Sequence, residues 1–156
     1  MKELFNAILT RLKTEVTELK HIDFEMGQME SLAFDERPAV DFPCALIDIA
    51  YIKCEDIGGG MQLVESRVIA KLAFETPLPT DSRTSGTRRT AALALFGTVD
   101  KVYAALQGYS TSQFSTLSRT QQTPDNRYAG IKMINMVFST TFEDSTAVPV
   151  EEGGEE

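Results

Sequence analysis

PCALIDIAYIKCEDIGGGMQLVESRVIAKLAFETP, residues 43–77, is the stretch whose reading decides the fold. It is two extended runs around Gly58, Gly59 and Gly60, glycines that supply the free φ a tight reversal needs. Both runs are rich in Ile, Val, Leu and Ala, and neither alternates cleanly between apolar and polar. Centring the reversal on Gly59 pairs residues whose numbers sum to 118. One face then collects Cys44, Leu46, Ala50, Ile52, Val64, Val68, Ala70, Leu72 and Phe74, with Asp48 as its polar exception. The other collects Ile47, Ile49, Tyr51 and Ile69, with Lys53 opposite Glu65 and Tyr51 opposite Arg67. A one-residue slip would exchange the two faces.

Working outward, Leu4, Phe5, Ile8, Leu9, Leu12, Val16 and Leu19 recur at helical spacing, which predicts an amphipathic helix over 3–20. HIDFEMGQME (21–30) places Ile22, Phe24 and Met26 on one side of a short strand, and SLAFDERPAVDF (31–42) reads as a connecting loop. Downstream, TPLPTDSRTSGT (76–87) is a polar loop. A second helix is predicted from about Arg88 to Gln107, with Gly108 as its C-cap. Gly97 within that helix implies close packing against the sheet. FSTLSRTQQT (114–123) reads as a polar edge strand, PDNR (124–127) as a turn, and YAGIKMINMVFSTTFED (128–144) as a long strand. In that last strand Ile134, Met136 and Phe138 face one way and Ile131, Met133 and Val137 the other. The order α-β-β-β-α-β-β predicts an α+β fold: an antiparallel sheet of about four to five strands with two helices packed on one face. Residues 1–145 form the single domain, and 146–156 read as a disordered acidic tail dispensable for folding.

Two helices cover one side of such a sheet. The remaining apolar stripe is expected to be a subunit interface made of Ile47, Ile49, Tyr51, Arg67 and Ile69. The alternative is that the 28–42 loop folds across it. On the interface reading, Ile49→Glu separates subunits and leaves a folded monomer, while Leu72→Glu unfolds the domain.

Composition narrows the function. The chain has 156 residues, 42% hydrophobic and 24% charged, which suits one ordinary globular domain. No apolar run approaches the ~20 residues of a membrane span, and MKELFNAILTRLKTEV lacks the apolar block of a secretion signal. A cytoplasmic protein without membrane contact is expected. Net charge is −8, of which the closing EEGGEE carries −4, leaving −4 for the body. A protein built to grip phosphates is basic instead, so sequence-specific nucleic-acid binding is not expected. Cys44 and Cys54 lie ten residues apart in one extended run, about 33 Å, too far for a disulfide.

Catalytic signatures are weak. His21 is the single histidine and has no nucleophile implied beside it, and neither it nor the cysteines have zinc-ligand spacing. The glycine triplet lacks the Lys-Ser/Thr of a phosphate loop. Glu55 and Asp56 alone do not make a calcium loop. Asp48 reads as hydrogen-bonded or paired rather than as a tuned acid. No catalytic residue, metal or cofactor is therefore expected. Arg83, Arg88 and Arg89, in SRTSGTRRT before a helix, read either as a solvated, flexible basic loop or, functionally, as an arm that meets an acidic protein partner.

The segments MKELFNAILTRLKTEV, PCALIDIAYIKCED, MQLVESRVIAKLAFET, RRTAALALFGTVDKVYAAL and YAGIKMINMVFSTTFED cover most of residues 1–144. In their order and pattern the chain resembles the tail-terminator, or tail-completion, proteins of long-tailed bacteriophages and prophages. The resemblance implies a non-enzymatic homo-oligomer, a six-membered ring that caps the tail tube and meets the head connector. It also implies a life in the host cytoplasm during assembly and then in the virion tail. An acidic body suits a conduit through which DNA passes without sticking. Two other readings compete. One is a different virion component, a head–tail adaptor or baseplate protein. The other is a small ligand-binding or enzymatic α+β domain, with Asp48 and Tyr103 as the polar groups of its pocket.

Overall fold

The computed structural model describes residues 1–76 and 79–150. Helix α1 spans Lys2–Glu15 and buries Leu4, Phe5, Ile8 and Leu12. It stops five residues before the predicted end because the chain turns at Val16, whose carbonyl accepts from the Leu19 N–H. Val16 and Leu19 still reach the core from that turn. Strand β1, His21–Phe24, follows, and then a 3-10 helix over Gln28–Phe34. Strands β2 (Cys44–Gly58) and β3 (Met61–Glu75) form the long hairpin, with Gly58, Gly59 and Gly60 all at positive φ.

The predicted second helix is two helices, α2 (Gly86–Leu93) and α3 (Leu95–Leu106), broken at Ala94. At the break, backbone bonds tighten to Ala94 N–H on Ala91 O and Gly97 N–H on Ala94 O. Gly97 is exposed, with open space where a side chain would stand, so it marks this break and not a close approach to the sheet. Ser85 caps α2 by accepting the Arg88 N–H, and Gly108 (φ 79°) reverses the chain after α3. Strands β4 (Ser118–Asp125) and β5 (Ile131–Asp144) complete a five-stranded sheet in the order β1-β2-β3-β5-β4.

The fold is α+β, with one departure from an antiparallel sheet: β1 pairs with β2 in parallel, His21 beside Cys44 through Phe24 beside Ile47. A hairpin between these strands is excluded because the chain uses residues 25–43 to cross the sheet and return to the same end. A parallel pair requires a connection of this kind. The other pairings are antiparallel.

Helices α1 and α3 pack on one face. Beneath them lie Ala45, Ile47, Ile49, Val68, Ala70, Leu72, Phe74, Ile134, Met136 and Phe138. Arg11 ties the two helices by donating from Nε to the Ala105 carbonyl at 3.0 Å, and Lys101 pairs with Glu18. The opposite face carries a second, smaller core. There Met29, Val40 and Phe42 of the β1–β2 crossover cover Cys44, Leu46, Ala73 and Met133. The loop that competed with a neighbouring subunit for this face takes its base half.

The end of the described chain is not free of the fold. Residues Ser145–Val148 turn, with the Val148 N–H on Ser145 O, and Thr146 donates to the Asp144 carboxylate. This turn lies on the hairpin end: a Cβ at Gly60 would come within 2.5 Å of the Ala147 carbonyl oxygen. The tail expected to be disordered from 146 therefore begins as a docked turn. Pro149 and Val150 follow it exposed and without regular structure, and residues 151–156 of that expectation lie outside the described residues.

Candidate assembly surface

The hairpin's register decides which side chains are available. From Cys44–Ala73 to Tyr51–Ser66 the paired numbers sum to 117, and from Lys53–Glu65 to Asp56–Gln62 they sum to 118. Ile52 is the extra residue, a bulge between Tyr51 and Lys53. The expected register, with Lys53 opposite Glu65, holds toward the turn. Toward the base it slips by one, and every β2 side chain there changes face. Tyr51 accordingly pairs with Ser66 and not with Arg67. The buried Ser66 hydroxyl, next to the bulge, donates to the Ala50 carbonyl at 3.2 Å.

This corrects the predicted interface. Ile47 (0% exposed) and Ile49 (8%) are core residues beneath the helices and unavailable to a neighbour. Tyr51 is half-buried on the same face, its ring edge-on to Phe142 at 5.4 Å. Desolvation there raises the pKa of its hydroxyl. Arg67 and Ile69 remain on the other face, Arg67 exposed and Ile69 half-buried beside Val137. The five residues form no single surface. Asp48 is exposed, opposite Ile69, so it is no polar exception inside an apolar face. The facing of β3 and β5 is as read from their alternation, with Val68, Ala70 and Leu72 beside Ile134, Met136 and Phe138.

The surface left open lies toward the turn. Beyond Phe24, whose successor Glu25 donates its N–H to Ile47 O, β1 no longer flanks β2. The outer edge of β2 from Asp48 to Gly58 has no neighbouring strand among the described residues. From Ile52 to Gly60 every residue is exposed. On the face away from the helices, Leu63 (40% exposed) lies in register between Glu55 on β2 and Glu143 on β5. Glu65 follows on the same face, and Lys53 pairs with Glu55 at 3.2 Å. An apolar side chain among three carboxylates and one ammonium is the most distinctive group at this end. Sequence alternation brings Leu63 and Glu65 to one face. The arrival of Glu143 depends on the β3–β5 register, which local pattern does not contain.

At the other end of β3 lies the arginine segment. Arg83 is almost fully exposed, 3.7 Å from Asp81, while the Asp81 carboxylate also accepts from the Arg83 N–H and the Thr84 hydroxyl. Those bonds hold the Asp81 carboxyl below its ordinary range. Arg88 is exposed, with no ion-pair partner among the described residues. Arg89 folds back, donating to the Thr84 carbonyl at 2.9 Å. Two of the three arginines thus face outward. Leu93 and Phe96, at the α2–α3 break, are 40% and 44% exposed.

The groups tested for chemistry do not converge. The Nε2 of His21 is 3.6 Å from the Asp23 carboxylate, beyond hydrogen-bond reach, and has no other partner among the described residues. Asp56 accepts the Gly58 N–H, which is turn chemistry. Asp48 and Tyr103 lie on opposite sides of the sheet, and the Arg119 guanidinium covers the Tyr103 ring at 3.7 Å. The pocket that needs both does not form. Cys44 and Cys54 are unpaired, and burial pushes the Cys44 thiol up to about 12. Among the described residues no helix is long and apolar enough to cross a membrane.

No family model and no curated protein matches the chain. Among solved structures it is similar to a chain from the virion of a native gene transfer agent (GTA) particle, with TM-score 0.48 and 12% identity, over 90% of this chain and 95% of that one.

Proposed function

We propose that the chain is a structural, non-enzymatic component of a phage-like virion. It caps the tail tube as an oligomeric ring and presents a surface to the head connector. It is made in the host cytoplasm and then carried in the virion tail. The observation that carries this reading is the β2–β3 hairpin. Its turn-proximal part projects an open strand edge and exposed residues, a form suited to meeting other subunits and poorly suited to enclosing a substrate. The sequence resemblance supports the same reading. Its segments coincide with α1, β2, β3, α2–α3 and β5, the framework of the domain.

Electron microscopy of particles assembled with and without the gene tests the proposal. Without it, tails are expected to vary in length and to remain unattached to heads. Particles with joined heads and tails of normal length in the deletion strain would refute it.

A further inference from the structure

We propose that the acidic end of the β2–β3 hairpin docks on the arginine segment of a second copy of this chain, head to tail. The inference rests on the oligomer reading above and specifies the contact.

The two surfaces are opposite in charge. The hairpin patch presents Leu63 between Glu55 and Glu143, with Glu65 beside them; Lys53 and, two residues beyond Glu65 on the same face, Arg67 offset part of this charge. The arginine segment at the start of α2 presents Arg83 and Arg88, both exposed. Asp81 is occupied by its own loop, which leaves Arg88 as the cation with no intrachain demand among the described residues. Leu63 leaves apolar area in water that such a contact removes, and the surrounding charges set its orientation.

The patches cannot meet within one chain. Strand β3 runs from Met61 at the hairpin end to Glu75 at the base, about 45 Å at the usual rise of a strand. Packing holds α2 at the base, where Ala91, Ala92 and Leu95 line a groove with Phe74 and Glu75. Complementary patches at opposite ends of a rigid sheet make a heterologous contact, and repetition of such a contact closes a ring or extends a filament.

Sedimentation velocity on the full chain tests this. Wild-type protein is expected to associate at low ionic strength and to dissociate as salt screens the exposed charges. The double reversals Glu55→Lys/Glu143→Lys and Arg83→Glu/Arg88→Glu, all at exposed or rim positions, should leave the circular dichroism unchanged. Each alone should self-associate at least about tenfold more weakly, because each sets like charges against each other across the contact. An equal mixture should associate again, since each variant's reversed patch meets the other's reversed patch and the native patches still match. Association of either variant at wild-type strength overturns this contact and leaves the ring reading standing on another surface. A wild-type chain that stays monomeric at millimolar concentration and low salt overturns the contact too. The capping role is then still judged separately by the particles from the deletion strain.

Discussion

The two halves of the β2–β3 hairpin have similar composition and different fates. Toward the base, Ala45, Ile47 and Ile49 are sealed under α1 and α3, and Cys44 and Leu46 under the crossover loop. Toward the turn, Ile52, Ile57 and Leu63 are exposed. Hydrophobicity does not separate them, because isoleucine occupies both. What separates them is the material laid over the sheet and the single extra residue at Ile52, which sets independently which face each half of β2 presents. An apolar residue on a strand therefore reports burial only once the register and the covering layer are known.

The largest test of this division is a charge in each half. Ile49→Glu should unfold the domain as severely as Leu72→Glu, each by about 4 kcal/mol or more, because both put a carboxylate into the helix-covered core. Leu63→Lys, toward the turn and facing Glu55 and Glu143, should leave stability within about 0.5 kcal/mol. Urea denaturation followed by circular dichroism measures all three. A folded Ile49→Glu monomer would return Ile49 to an open face and restore the interface first expected of it.

The bulge offers a finer test. Removing Ile52 brings Lys53–Glu65 into the same register as Tyr51–Ser66, so the ladder becomes continuous and each remaining side chain keeps its face. The melting temperature should change by only about 3 °C, on the order of 1 kcal/mol for a domain of this size. Removing Ala50 instead pulls Tyr51 off Phe142 onto the opposite face, and the loss should be about 2 kcal/mol or more. Equal tolerance of the two deletions would mean that Ile52 is not the point at which the register changes.

The cysteines sample the two halves chemically. Cys54 is exposed and should react with a thiol reagent in the native protein. Cys44, buried with its thiol pushed up to about 12, should react only as fast as the domain opens. Mass spectrometry of singly labelled protein identifies the site. Native labelling at Cys44 would show that the crossover loop does not seal the base.

The helices, the glycine reversal and the faces of β3 and β5 were legible because each is written in local periodicity, as in Ile134, Met136 and Phe138. The face of β2 was not. Alternation around Ile47 and Ile49 is equally compatible with two registers, and nothing in the residues near Ile52 marks it as unpaired. The parallel β1 was hidden for a related reason. HIDF reads as a strand, but its direction relative to β2 depends on the path of residues 25–43, fixed by Met29, Val40 and Phe42 finding a second core. The break at Ala94 leaves one trace in the sequence, Gly97, and a helical glycine alone does not distinguish close packing from a loosened helix. Of the candidate surface, Arg83 and Arg88 were visible as a basic run. The row Glu55–Leu63–Glu143 joins three strands and was not.

The smallest expected effect concerns the turn itself and the chain that follows β5. Gly59 and Gly60 both adopt positive φ, 65° and 81°, so alanine at either position is strained by about 1 kcal/mol. They differ in what lies overhead. A Cβ at Gly59 meets open space, whereas one at Gly60 meets the Ala147 carbonyl oxygen at 2.5 Å. Gly60→Ala should therefore destabilise more than Gly59→Ala, by roughly another 1 kcal/mol, as the Ser145–Val148 turn is pushed away. Truncation after Asp144 removes that turn. It should itself lower stability only slightly, because the turn buries little, but it should make the two alanine variants equal. The comparison is a double-mutant cycle in which the strain common to both glycines cancels and only the overhead contact remains. Thermal melts of the four full-length and truncated variants, with their two parents, provide it. If the difference between Gly60→Ala and Gly59→Ala survives truncation, the turn does not rest on the hairpin, and the end of the domain is as independent of the fold as its acidic composition implied.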